Sequence, residues 1–378
     1  MNIVVNTRFL LKDKLEGIGW FTYETLKRIT RNHPEHTFYF LFDRPYSEEF
    51  VFAKNVIPLV YGPPARHPFL YYIWFEWVVP KVLKKYKADI FVSTDGHLSL
   101  STKTPSLQVV HDINYAHYPK YIPFVARKYL EIYFPKFIKR ADRIATVSEF
   151  SKQDVISHYG YPSTKIDVVY NGANEDYCPV SVEIITATRK KYSDGKPYFL
   201  YVGSLHPRKN ITNLLKAFDK FRTDTKTQVK LLIVGKAYWW NSEMENEYKK
   251  IIHNEDIVFI GRVDTDVLKN LLASSLAVTY VSIFEGFGIP VLEAMYCGVP
   301  VITSNTSSMP EVGGNAALYV DPFNVDSIAN AMKNVFSDEN LRKTLIENAK
   351  VRKQEFTWDK TADKLWNSIE KLMISVCP

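Results

Sequence analysis

Short apolar runs alternate with stretches of helical period along the whole chain. In the first half, NIVVNTRF (2–9), TFYFLF (37–42), ADIFVST (88–94), SLQVVHD (106–112), ADRIATVS (141–148) and KIDVVYNG (165–172) read as strands. Helices fit between them near 19–31, 70–86, 122–140 and 149–158. Strands that are apolar on both faces, spaced by amphipathic helices, belong to a parallel sheet covered on both sides. The stretch ANEDYCPVSVEIITATRKKYSDGKP (173–197) breaks this rhythm with charge and two prolines, and it reads as a linker. The rhythm then restarts with strands at 197–204, 229–236, 256–261, 276–282, 299–305 and 316–321. Helices are expected at 210–222, 242–253, 264–274, 290–297 and 324–336. Two further helices, 340–355 and 358–374, have no strand after them and are expected on the surface.

The pattern predicts an α/β chain of two doubly wound, Rossmann-like parallel-sheet domains, 1–180 and 181–356, with 357–378 a terminal helix returning to the first domain. Side by side, such domains form a cleft at the carboxyl ends of their strands, where ligands bind in this architecture.

Composition narrows the class. Of 378 residues, 46% are hydrophobic and 24% charged, which excludes wholesale disorder. No apolar run approaches the ~18 residues that span a bilayer. The start, MNIVVNTRFLLKDK, lacks the basic and apolar regions of an export signal, so a soluble cytoplasmic protein is expected. Three scattered cysteines (Cys178, Cys297, Cys377) suggest neither a disulfide framework nor a zinc site. The net charge of +7 is concentrated early: residues 1–175 hold 23 Lys and Arg against 17 Asp and Glu. Aromatic residues crowd the same half. The segments 67–87 and 121–140 both interleave large rings with Lys and Arg. Two readings stay open for them: ordinary helices with core faces and solvated charges, or a peripheral surface that meets anionic lipid. No nucleic-acid motif accompanies the charge, so nucleic acid is not an expected partner.

Candidate chemistry clusters at predicted strand ends. In IFEGFGIPVLEAMYCGVPVITSN (283–305) a strand ends near Ser282, two glycines turn the chain, and Pro290 suits the first turn of a helix. Gly286 and Gly288 permit close backbone approach, and the free amides of the helix start favour an anion. Glu285 on the loop can reach sugar hydroxyls, and Glu293 can take a ribose diol. Singly, each is an ordinary turn or helix-dipole residue; together they are a site. In YVGSLHPRKNITNLLKAF (201–218), Gly203 ends a strand, and Arg208 and Lys209 precede a helix for which Asn210 is the expected cap. An adjacent guanidinium and ammonium there suit a diphosphate. Gly17 and Gly19 form a glycine turn into the first helix, and His111 and Asp112 end a strand from which His111 can donate to a sugar hydroxyl. There is no phosphate-cradling GxxxxGK[ST], no GxSxG, no complete GxGxxG, no His/Cys cluster and no Asp-x-Asp.

Glu285-Gly-Phe-Gly-Ile-Pro-Val-Leu-Glu293-Ala-Met, followed by Gly298-Val-Pro-Val and preceded by Arg208-Lys209-Asn210, resembles the donor site of retaining glycosyltransferases of family 4. The likeness runs through Pro310-Glu311-Val312 and Tyr319-Val-Asp-Pro322. It is collinear but weaker in the first half, at Gly17-Ile-Gly19, His111-Asp112 and Thr146 to Ser151. The resemblance implies the GT-B architecture, with an acceptor-binding first domain and a nucleotide-sugar-binding second domain. It implies that Arg208 and Lys209 meet the departing diphosphate, that Glu293 binds the ribose, and that Glu285 contacts the donor sugar. It places Gly203 and the run Gly286, Phe287, Gly288, Ile289, Val291 and Leu292 against the donor, the base near Arg262 and Val263, and Gly17 and Gly19 at the phosphates. His111 would face the sugar, with Asp112 and Trp20 on the acceptor side. Trp20 stands where the family often has a basic or small polar residue, and Val281 where it commonly has proline.

The family further implies same-face transfer without metal or other cofactor. Arg-Lys-Asn after Leu-His-Pro is most similar to bacterial mannosyltransferases of surface polysaccharide. GDP-mannose is therefore the favoured donor, with UDP-hexose open, and the acceptor is a glycan or a lipid-linked species at the inner face of a membrane. The alternatives are a GT-B sugar-nucleotide epimerase and a non-catalytic nucleotide-sugar-binding protein.

Overall fold

The computed structural model describes residues 1–237 and 239–376; Cys377 lies outside them. The chain forms two compact units, Met1–Gly172 together with the segment from Trp358, and Ala173–Thr357. Residues 173–180 thus belong with the second unit.

The first unit holds seven parallel strands: β1 (Asn2–Asn6), β2 (Thr37–Phe42), β3 (Val56–Val60), β4 (Ile90–Ser93), β5 (Ser106–Val110), β6 (Arg143–Thr146) and β7 (Ile166–Val168). Their order is β3-β2-β1-β4-β5-β6-β7. Central β1 pairs Ile3 with Phe38 on one side and Ile90 on the other. Ile3, Val4 and Val5 are buried because helices cover both faces. Sequence pattern misses only β3: Pro58 interrupts it, and Ile57 and Val60 are exposed. A strand with a proline is tolerated at a sheet edge, where a missing N–H costs no ladder bond.

The expected helix at 70–86 is a composite of Pro68–Ile73, a π-turn Trp74–Val78, and Val79–Lys85. The linker reading of 173–197 is corrected, since Val182–Ser193 is a helix. Its sparse apolar residues and many charges hide the period: Val182 and Ile184 are exposed.

The second unit holds β8 (Tyr198–Val202), β9 (Lys230–Val234), β10 (Ile257–Gly261), β11 (Ala277–Tyr280), β12 (Val301–Ser304) and β13 (Ala317–Val320), ordered β10-β9-β8-β11-β12-β13 and all parallel. The order reverses between β8 and β11, the switch point at which such sheets bind ligands. The helix expected at 242–253 stops at Tyr248.

The last two helices part company. Glu339–Arg352 stays on the second unit, where Arg352 donates to the Val312 carbonyl at 3.2 Å and Asn348 to that of Asn315 at 2.8 Å. Trp358–Val376 lies against the helix Gly17–Asn32 of the first unit. Trp366 stacks on His33 at 3.7 Å, Arg28 pairs with Asp359 at 2.5 Å, and Thr361 donates to the Tyr170 carbonyl at 2.7 Å. Among the described residues no helix is long and apolar enough to cross a membrane.

Candidate active site

In the second unit the strand ends are closed by glycine. Gly203 (φ +152°) follows β8 and donates its N–H to Val234, and Gly235 (φ +153°) follows β9 and donates to Gly261, both at 2.9 Å. A Cβ on Gly235 would stand 1.8 Å from the Gly203 oxygen, so only glycine lets the two chains meet there. Beyond them an open groove of about 570 Å³ is lined by Leu205, Gly235, Lys236, Ala237, Phe259 and Arg262, among others. Arg262, expected near the base, is on its wall, whereas Val263, expected there too, is not among its lining residues. The Leu205 and Gly235–Ala237 contributions come from two other strand ends, which sequence order separates.

A single 3₁₀ turn, Pro207–Lys209, presents the two cations, with the His206 ring nitrogen Nδ1 accepting the Arg208 N–H at 3.1 Å. Asn210 is not the side-chain cap expected of it. Its φ is +61°, and its amide donates to the carbonyls of Val281 (3.1 Å) and Pro322 (2.7 Å). It therefore fastens the cationic turn to the end of β11 and to the loop after β13.

Both cations converge on Glu285. Lys209 Nζ lies 2.5 Å from Glu285 Oε1 and 2.6 Å from the Tyr280 hydroxyl, and Arg208 Nη1 is 3.2 Å from Glu285 Oε2 and also donates to the Phe284 carbonyl. Glu285 is only 6% exposed. Burial alone would raise its pKa, but Lys209 and then Arg208 outweigh that and hold the carboxyl down at about 2. It is a carboxylate at any physiological pH.

The glycine loop after Glu285 is stapled from behind. The Ser307 hydroxyl accepts the Glu285 N–H at 3.1 Å, and the Ser308 hydroxyl lies 3.0 Å from the carbonyl oxygens of both Glu285 and Phe287. Gly288 has φ +101°, and a Cβ there would stand 2.3 Å from the Met309 methyl. The helix Ile289–Tyr296 begins at that point without a side-chain cap, with Pro290 in its first turn supplying no N–H. Gly286 and Phe287 are buried, with Phe287 edge-on to Phe356 at 5.6 Å. Val291 and Leu292, expected against the donor, have side chains fully buried in the core, and the Val291 N–H is taken by the Gly288 carbonyl at 3.0 Å. Ile289 remains half-buried at the helix start.

Glu293, one turn on, is a contrasting carboxyl. Burial pushes its pKa up to about 7, opposed only by a hydrogen bond from the Tyr177 hydroxyl. Tyr177 sits in the stretch read as linker, and nothing in its spacing marks it. Tyr280 was likewise missed, since a tyrosine ending an apolar strand reads as core.

The first unit places its candidates at the carboxyl ends of β1 and β5. Gly17 and Gly19 occupy the first turn of the helix Gly17–Asn32 rather than a loop before it, and no side chain caps that turn. A Cβ on Gly19 would face the Phe9 carbonyl at 3.0 Å and Leu15 at 3.1 Å, so the small size of Gly19 serves the chain's own turn. Gly17 is exposed, and Trp20 packs edge-on to Tyr23 at 5.8 Å.

His111 is also corrected, as a donor. Its Nε2 faces the Thr94 carbonyl at 2.9 Å, which requires the proton on that nitrogen, and burial lowers its pKa. The neutral ring offers Nδ1 to a ligand as an acceptor. Asp112 Oδ1 accepts from the Asn114 N–H (3.0 Å) and side-chain amide (2.5 Å), opening the short helix Asn114–His117. Sequence reasoning missed the buried Arg8–Asp95 pair beside these strands, with His97 at 3.2 Å from Arg8. No spacing rule joins positions so far apart. Among the described residues no three His, Cys, Asp or Glu side chains converge as metal ligands.

Known proteins resemble this chain in sequence and in fold. Residues 185–352 match the family model described as glycosyl transferases group 1, and residues 15–177 that of glycosyltransferase family 4. The chain is 30% identical over 291 residues to O-antigen chain mannosyltransferase B of Escherichia coli, covering 77% of this chain and 76% of that one. It is 29% identical over 294 residues to the O-antigen chain mannosyltransferase RfbU of Salmonella typhimurium, with 77% and 78% covered. Among solved structures, HepE of Anabaena in complex with UDP and glucose aligns with a TM-score of 0.75 over 97% of this chain and 99% of its own, at 18% identity. WaaG, a glycosyltransferase involved in lipopolysaccharide biosynthesis, aligns with a TM-score of 0.74, 97% and 98% coverage and 16% identity. The fold is thus that of the GT-B glycosyltransferases.

Proposed function

The chain belongs to the group 1 glycosyltransferases of family 4, a hexosyltransferase of polysaccharide synthesis, and we propose that it moves mannose from GDP-mannose to a lipid-linked glycan with retention of configuration. The observation that carries this reading is the convergence of Arg208 and Lys209 on Glu285, with Glu293 on the helix that follows. Diphosphate, sugar and ribose each find groups of matching chemistry there, beside a groove large enough for a base.

In the proposed reaction the bond between the anomeric carbon and the diphosphate oxygen breaks, and the acceptor oxygen bonds to the same face of the sugar. The acceptor proton passes to the departing phosphate oxygen, so no side chain need act as base. Arg208 and Lys209 balance charge on the leaving diphosphate. The Glu285 carboxylate faces the positive charge that develops on the sugar. Glu293 accepts from the ribose hydroxyls. His111, neutral and fixed by Thr94, accepts from a sugar hydroxyl. No metal is required by these roles. Mannose is favoured by the names of the two O-antigen relatives, while the UDP and glucose of the HepE complex keep a UDP-hexose as the competing donor.

The test is thermal stabilisation by GDP, UDP, ADP and their sugars, with and without EDTA, followed by the anomeric configuration of the product. A nucleotide at ~100 times its dissociation constant adds about 2.7 kcal/mol. A shift with GDP and GDP-mannose, indifferent to EDTA, supports the reading. A shift with UDP alone transfers it to UDP-hexose, and no shift with any nucleotide removes it.

A further inference from the structure

We propose that two adjacent helical segments of the first unit, Pro68–Lys85 and Phe124–Arg140, form a surface that seats this unit on an anionic lipid bilayer. The proposal deepens the lipid-linked acceptor reading above and rests on it.

The segments lie side by side, with Tyr71 edge-on to Tyr129 at 5.6 Å and Tyr72 against Tyr133 at 5.8 Å. Each has a core face. Trp74, Phe75, Val79, Tyr129, Phe134 and Phe137 are buried together. Each also has an outward face that is not polar, as a solvated helix would be. Phe69 is 66% exposed, Trp77 59%, Phe124 64% and Ile132 52%.

The π-turn Trp74–Val78 decides the first of these faces. In an unbroken helix the outward row through Phe69 and Tyr72 continues to Glu76. The residue inserted by the π-turn rotates Glu76 inward, where its carboxylate accepts the Leu100 N–H at 2.9 Å, and brings Trp77 out in its place. A carboxylate is removed from the surface and an indole is added.

Cations follow the rings. Lys81 and Lys84 continue the first segment, and on the second Lys128, Lys136 and Lys139 recur at helical spacing with Ile132, all exposed. The exposed acid of the two helices is Glu131, paired with Lys128 at 2.6 Å. Rings with ammonium groups beside them match a membrane interface, where aromatics enter the headgroup region and lysine stems extend to phosphate. A second copy of the chain would bring the same cations against these, which opposes self-association through this face. An acidic protein would match the lysines but not four separate large apolar side chains.

The experiment is flotation of the intact chain with vesicles of phosphatidylcholine alone or mixed with phosphatidylglycerol, at low and high salt. Two variants accompany it, Trp77→Ser/Phe124→Ser/Ile132→Ser and Lys128→Gln/Lys136→Gln/Lys139→Gln. The expected result is binding to the phosphatidylglycerol vesicles at low salt, weakened on the order of tenfold or more in each variant. Both variants should keep the nucleotide-induced thermal shift of the wild type. Failure of the wild type to float, or variants that float as well as it does, overturns the proposal. So does a wild-type dimer that the apolar variant dissociates, since the face would then be a protein interface. A wild type that floats but shows no nucleotide shift leaves the surface standing and removes the proposed transfer from GDP-mannose instead.

Discussion

Lys209 Nζ stands 2.5 Å from Glu285 Oε1, although 76 positions separate the two residues, because β8 and β11 are neighbours in the sheet. The pair puts the group expected to meet diphosphate in direct contact with the group expected to meet sugar. Lys209→Ala leaves a buried carboxylate with only Arg208 beside it, and should cost about 3 kcal/mol of stability. Adding Glu285→Gln should recover much of that loss, while transfer stays abolished in both variants. Unfolding midpoints and initial rates on the two proteins check this, and a double variant no more stable than Lys209→Ala refutes the coupling.

Glu293 sets a pH dependence. Its folded pKa, about 7, lies above that of an ordinary carboxyl near 4.5, so the folded state holds its proton more tightly than the unfolded state does. That contribution is fully present below about pH 4.5 and is lost as pH rises through 7. Glu293→Gln should therefore stabilise the protein at pH 8 by on the order of 2 kcal/mol and change little at pH 5. It should also weaken nucleotide binding. Equal effects at both pH values would show that the carboxyl is not held neutral by burial.

Asn210 ties the cationic turn to Val281 and Pro322. Asn210→Gly keeps the positive φ and removes both bonds; the Pro322 carbonyl keeps the Asn213 amide at 3.0 Å but the Val281 carbonyl loses this partner, so the stability loss should be about 1–3 kcal/mol. Because Arg208 and Lys209 then lose their anchorage, kcat/KM should fall by more than nucleotide affinity. A variant with full activity would reduce Asn210 to a structural role.

Gly288→Ala places a methyl 2.3 Å from Met309 at φ +101°. It should lower both stability and donor affinity. Adding Met309→Ala relieves the clash but not the backbone strain, so recovery should be partial. Thermal melts with and without nucleotide separate the two parts.

His111 holds its Nε2 proton on the Thr94 carbonyl. Its lowered pKa means that the folded state favours the neutral ring, so its contribution to stability is present above pH 6.5 and declines as pH falls below it. His111→Phe should abolish that decline and reduce kcat with little effect on donor binding. A pH–stability curve unchanged by the substitution would contradict it.

Much of this protein is written in its order of residues. Fully apolar strands at regular spacing determine two parallel sheets, because only a core closed on both faces accommodates them. Glycine at 203 and 288, the adjacent cations at 208 and 209, and carboxyls at 285 and 293 are local signals, and each stands at a strand or helix end where the sequence alone puts it. Tertiary structure decided what those groups do to one another. The binding of both cations by Glu285, the inward turn of Val291 and Leu292, the raised pKa of Glu293 beside Tyr177, and the use of Asn210 as a fastener rather than a cap depend on which strands are neighbours. Sequence period also could not foresee the π-turn that buries Glu76 and exposes Trp77. Propensity and period act over a few residues, whereas burial, pairing and the shift of a carboxyl's pKa are set by partners brought together from far along the chain.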